Sequence, residues 1–102
     1  MKAVAEEFAR LGGFSLVETA FLELAEPTLE QAIANLIQRG AQEICIVPYF
    51  LTLGVHLQED LPRLVEQIRE NQANIEIRVA PPLGGHPALA QALVEREREA
   101  GN

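Results

Sequence analysis

Two histidines, one cysteine and fifteen carboxylates are the side chains of this sequence best suited to proton transfer or metal ligation, and His56 stands in the most informative surroundings. It lies in "EICIVPYFLTLGVHLQEDLP", residues 43–62, where an apolar run ends in a glycine turn. The pattern predicts a strand, a turn, and an imidazole delivered to the start of a helix. In open parallel sheets the ligand crevice lies beyond the carboxyl ends of the strands, so an imidazole just past such an end is placed to meet a substrate or a metal ion. An unperturbed pKa of ~6.5 leaves it largely neutral at physiological pH, free to take a proton or coordinate a cation. A histidine at a helix start also serves as a cap or as packing, and spacing alone does not separate these roles. Glu23 follows "VETAFL" and emerges at the same edge; His86, before Pro87 in "PPLGGHP", stands at the start of the last helix, also on that edge.

The elements that must position these residues are legible in the period of the apolar positions. Val4, Phe8 and Leu11 share a helical face before the Gly12-Gly13 stop, and "FSLVETAFL" then reads as a strand. Pro27 and Thr28 open a second helix with Leu29, Ile33, Leu36 and Ile37 inward and Gly40 as its stop. A strand over about 43–50, a third helix over about 56–71 with Leu57, Leu61, Leu64, Val65 and Ile68 inward, and the alternating strand "NIEIRVA" follow. Residues 87–99 form the last helix, whose tail "EREREAGN" reads as a solvated, charge-paired end. The order α-β-α-β-α-β-α predicts an α/β fold, a parallel sheet between helices. Such folds normally begin with a central strand, and this chain begins with a helix. A leading strand is therefore expected to be absent, with the gap filled by a partner chain or a rearranged sheet, and a homodimer is expected.

Composition bounds the class. The 102 residues, 48% hydrophobic, suffice for one domain, residues 1–102, with one core. No apolar run reaches the ~18 residues of a membrane span, and Glu6, Glu7 and Arg10 interrupt the N-terminus where a signal peptide is apolar, which predicts a cytoplasmic protein. Cys45, the only cysteine, rules out a disulfide framework and is expected in the core. A net charge of −7 argues against nucleic acid or an anionic membrane as partner, since such binding is driven by a basic surface.

The segments "ETAFLELAEPTLEQAIANLIQRGAQEICIVPYFLTLGVHLQEDLPRLVEQI" and "IEIRVAPPLGGHPALAQAL" resemble the small CbiX-type chelatases, the sirohydrochlorin cobaltochelatase and ferrochelatase family. The resemblance runs from about residue 3 to residue 96. Its most specific parts are "AFLELAEP", "VPYFL" running into "GVHLQEDLP", and "APPLGGHP", at three successive strand mouths. It implies a three-layer, chelatase-like (flavodoxin-like) α/β fold with helices on both faces of the sheet. It also implies insertion of a divalent metal into a sirohydrochlorin-type tetrapyrrole, in cobalamin or siroheme biosynthesis. The metal is then the substrate, Co²⁺ or Fe²⁺ with Ni²⁺ a further candidate, and no organic cofactor is expected. Family members open with a strand leading into a Gly-His-Gly-Ser type loop whose histidine works with a second one; only that second histidine, His56, has a counterpart here. The alternatives are a metal- or tetrapyrrole-binding module without turnover, or a truncated, inactive fragment.

Metal insertion removes two pyrrole protons while a weakly held ion is handed over, which calls for imidazole or carboxylate groups that both ligate and accept protons. The resemblance makes His56 the ligand and base. Glu23 completes a His/Glu site or takes a pyrrole proton, against the plainer reading of a solvated loop charge. Asp60, four residues after His56 on one helix, either orients the imidazole or, like Glu59 and Glu26, favours a helix N-terminus. Gly84, Gly85 and His86 form the turn expected to face the tetrapyrrole: the glycines allow close backbone approach or simply make the turn, and His86 is structural or substrate-facing. Tyr49, Phe50 and Leu53 either line an apolar wall for the macrocycle or fill the core. The substrate's carboxylates would be met by helix N-termini and by Arg63.

Overall fold

Local signals place the helices where the sequence expects them. The computed structural model describes residues 2–21, 25–49 and 55–101, and side chains over residues 3–21, 25–49 and 59–101. Its elements run α1 (Lys2–Gly12), α2 (Leu29–Gln38), β1 (Glu43–Ile46), α3 (Val55–Asn71), β2 (Glu76–Val79) and α4 (Pro87–Gly101). Helix α2 shows why. Thr28 Oγ1 accepts from Gln31 N at 3.2 Å while Thr28 N donates to Gln31 Oε1 at 2.9 Å, a reciprocal pair that satisfies donors a helix start otherwise leaves orphaned. At its other end Gly40 takes φ +99°, a left-handed conformation that terminates the helix at little steric cost only for glycine.

Strands β1 and β2 pair in parallel with Ile44 opposite Ile77 and Cys45 opposite Arg78. Register partners in a parallel pair point to one face, so Ile44 and Ile77 share a side of the sheet. That side is the core. Leu29 and Ile33 from α2, and Leu61, Val65 and Ile68 at helical spacing on α3, cluster with the two isoleucines, all buried. Arg69, the residue after Ile68 on α3, donates from Nε and Nη2 to the carbonyl of Ile77 at 3.2 and 2.7 Å.

Two expectations are corrected. The segment "FSLVETAFL" is not a strand over its described residues, 14–21, which show one isolated parallel bridge, Phe21 with Thr28. A strand exists only where a neighbour exchanges hydrogen bonds with it, and no described residue pairs along 14–20. The side chains engage elsewhere: Phe14 stacks on Phe8 at a centroid distance of 4.9 Å, and Glu18 pairs with Arg39 at 3.1 Å. The described sheet therefore has two strands rather than three. Cys45 is not in the core but exposed, because strand alternation turns it away from buried Ile44.

The flanking helices are held differently. Helix α4 buries none of its residues, and α1 exposes Val4, Phe8 and Leu11, the residues that share one helical face. The Cα radius of gyration is 15.7 Å, above the ~13 Å of a compact domain of about this length.

Candidate functional site

Because β1 and β2 are parallel and adjacent, the loops that follow them leave from one edge of the sheet. The structure then ties these loops together. Ala80 N donates to Ile46 O at 2.8 Å, extending the ladder past the strands, and Leu83 N donates to Pro48 O at 3.1 Å. Pro48 is buried, so this bond anchors the start of the segment that leads to His56. Beyond it, His86 N donates to Leu83 O at 3.0 Å and closes the turn over residues 83–86. Gly85 sits in that turn at φ +88°, with nothing within 4 Å of where a Cβ would stand. Its requirement for glycine comes from the backbone conformation alone.

His86 ends the turn and begins α4. Its Nδ1 accepts from Ala88 N at 3.0 Å, and Pro87 takes the first helical position, where a missing N–H costs nothing. This geometry sets the chemistry of the ring. A nitrogen that accepts a hydrogen bond carries no proton, so the neutral imidazole holds its hydrogen on Nε2. Coordination through either nitrogen would take the cap apart: through Nδ1 by using its lone pair, through Nε2 by moving the proton to Nδ1. While the cap is made, His86 has a donor to offer and no metal-binding lone pair.

His56 is the second residue of α3, which places its backbone at the helix start after β1; its side chain lies outside the described residues. Glu23 lies outside them as well. On either side of it, Phe21 N donates to Pro27 O at 2.9 Å, drawing together the ends of the connection into α2. Asp60, Glu59 and Arg63 are exposed on α3, Asp60 four residues beyond His56. Pro62 stands inside this helix and has no N–H to give the carbonyl of Gln58, so one backbone bond between the turns bearing His56 and Asp60 and the rest of α3 is missing. Tyr49 is half exposed at the mouth of β1, not in the core. Phe50 and Leu53 fall outside the described residues. Among the described residues no three His, Cys, Asp or Glu side chains come together. An open groove of about 500 Å³ lies instead at the start of α2, lined by Glu26, Pro27, Gln31 and Asn35.

The capping role of His86 had a local signal, the His-Pro pair at a helix start. The bond between Leu83 and Pro48 had none.

The family model for CbiX matches residues 1–100. A sirohydrochlorin cobaltochelatase of Saccharolobus solfataricus is 41% identical over 95 residues, covering 87% of this chain and 74% of its own length. A solved CbiX protein of Marinobacter aquaeolei VT8, described as a putative cobalamin biosynthesis protein, superposes with a TM-score of 0.74 at 30% identity, covering 96% of this chain and 82% of the other. SirB from Bacillus subtilis with Fe³⁺ gives a TM-score of 0.77 at 26% identity, and SirB from its subspecies spizizenii, a sirohydrochlorin chelatase in complex with cobalt, gives 0.76 at 25%. These cover 100% and 97% of this chain, which spans 43% of the SirB chains.

Proposed function

We propose that this chain, which belongs to the CbiX family, is a sirohydrochlorin chelatase, a lyase-type enzyme that inserts cobalt or iron, its metal substrate, into the tetrapyrrole. The single observation that carries the reading is 41% identity to a sirohydrochlorin cobaltochelatase across 87% of the chain. The product would feed cobalamin or siroheme synthesis. Residues 1–102 act as one domain around the one core.

The chemistry assigns roles to the residues at the strand mouths. Each divalent ion that enters displaces two protons from pyrrole nitrogens, so the protein must hold the ion loosely and accept protons beside it. His56 binds the metal and takes a proton, and Glu23 supplies the second ligand or base. The position of His56 at the start of α3, on the edge where both loops leave the sheet, supports this assignment. Gly84 and Gly85 lie in a turn hydrogen-bonded to the loop after β1, which suits them to back one side of a flat macrocycle. The exposed phenol ring of Tyr49 offers an apolar surface nearby.

The working unit is a homodimer in the cytoplasm. The α1 stripe of Val4, Phe8 and Leu11 gives the dimer an apolar face, and a single exposed thiol with no disulfide partner suits a reducing compartment. Sedimentation velocity should give twice the 11.2 kDa chain mass, falling to the monomer in Leu11→Glu; a monomeric wild type would remove the dimer.

The function is tested by cobalt(II) insertion into sirohydrochlorin, followed by absorbance. His56→Ala should lower kcat by about 10²–10⁴-fold, the usual size of a proton-transfer contribution, and Glu23→Gln should fall less. Unchanged turnover in His56→Ala would remove His56 from the site.

A further inference from the structure

We propose that His86 is a positioning residue for metal insertion: its imidazole caps α4 and thereby holds the 83–86 turn against Pro48, at the base of the segment that carries His56. The inference rests on the chelatase reading and extends it to a residue that reading leaves without a task.

Four observations converge. His86 Nδ1 accepts from Ala88 N at 3.0 Å, which occupies one lone pair and fixes the ring at the start of α4. The same residue's backbone N–H reaches back to Leu83 O at 3.0 Å, so ring and backbone fasten the helix start and the turn to one another. Leu83 in turn donates to Pro48 O at 3.1 Å, and Pro48 is a buried residue two positions beyond the end of β1. Gly85 at φ +88° makes this turn possible, in a backbone conformation that glycine takes at little cost.

Helix α4 buries none of its residues and so contributes little packing of its own to keep its first turn in place. The cap carries that burden. Losing it should loosen the 83–86 turn, release Pro48 O from its donor and let the stem of the His56 segment shift. A change far from the chemistry that misplaces a reacting group by about 1 Å can slow an enzyme by roughly a hundredfold.

Two substitutions separate this role from its rivals. His86→Asn keeps a short acceptor of the type favoured at helix starts but removes the imidazole; His86→Ala removes both. In His86→Ala, kcat for cobalt insertion should fall roughly ten- to a hundredfold with KM for the tetrapyrrole unchanged, and hydrogen exchange at the Leu83 amide should accelerate. His86→Asn should bring both back close to wild type. Titration of each protein with cobalt(II) alone, followed by visible absorbance, should give the same midpoint in all three.

Each contrary result points elsewhere. A His86→Asn protein that regains Leu83 protection but not turnover would mean that the imidazole itself meets the reacting groups. A weakened cobalt(II) midpoint in His86→Asn would make it a metal ligand, and an unchanged Leu83 amide in His86→Ala would show that the cap holds nothing. If the wild type inserts no metal, the chelatase reading fails, and the cap and its hold on Leu83 are then decided by hydrogen exchange alone.

Discussion

The centre of this molecule and its two ends are built on different terms. At the centre, α2 and α3 lay Leu29, Ile33, Leu61, Val65 and Ile68 over Ile44 and Ile77, and these side chains are almost wholly removed from water. At the ends, α1 leaves Leu11 72% exposed and α4 leaves Leu93 71% exposed, so neither helix is held by burying its apolar residues. The contrast separates two tasks. The centre fixes the edge from which both loops depart, and the ends are free to serve neighbouring surfaces or solvent.

The comparison can be broken at the centre first. Ile68→Ala removes a side chain 5% exposed from the middle of the cluster, and the lost transfer free energy plus the cavity left behind should cost about 2–5 kcal/mol. Urea unfolding should show this as a lower midpoint with an unchanged slope. A loss below 1 kcal/mol, on the order of an ordinary surface change, would mean that the cluster is not the core.

A smaller effect is expected at Thr28, on the boundary between the regions. Thr28→Ala removes the Oγ1 acceptor for Gln31 N, leaves only the backbone bond from residue 28 to Gln31 Oε1, and should cost about 0.5–2 kcal/mol, largely recovered in Thr28→Ser. Circular dichroism during urea unfolding would check both variants, and equal stability of Thr28→Ala and wild type would show that the reciprocal cap is not needed.

The smallest effect belongs to the end. Leu93→Ala should change stability by no more than about 0.5 kcal/mol, as at surface positions generally. A loss of several kcal/mol, seen by the same unfolding measurement, would show that α4 is buried against another surface in solution and would erase the distinction.

What could be read in the sequence follows from which interactions are local. Helix α3 begins within one residue of its expected start and α2 at its expected cap, because period, proline and threonine signals lie inside the segments themselves. The strand "NIEIRVA" was readable by alternation and forms β2. Over residues 14–21 the sequence misleads because a strand is made by its neighbour, and β-favouring residues cannot state whether one is there. Cys45 misleads for a related reason: a run of apolar letters suggests burial on both faces, while the register that sends Ile44 inward sends Cys45 out. At the candidate site the edge was legible, since two parallel strands must release their loops on one side. The Leu83–Pro48 bond was not, because it joins residues far apart in sequence through backbone atoms that every residue carries.

Arg69 makes the two borders of the sheet unlike. Glu76 and Ala80 turn their N–H groups toward the β1 side, so Ile77 between them turns its carbonyl to the opposite border, where the guanidinium of Arg69 takes it with two donors. An extended chain arriving there would find its acceptor already engaged and a cation in its path, one of the ways proteins keep exposed sheet borders from sticking to one another. Among the described residues the far side of β1 has no such guard. A single arginine thus gives a short sheet two unlike borders, the one beyond β2 with its Ile77 acceptor already engaged.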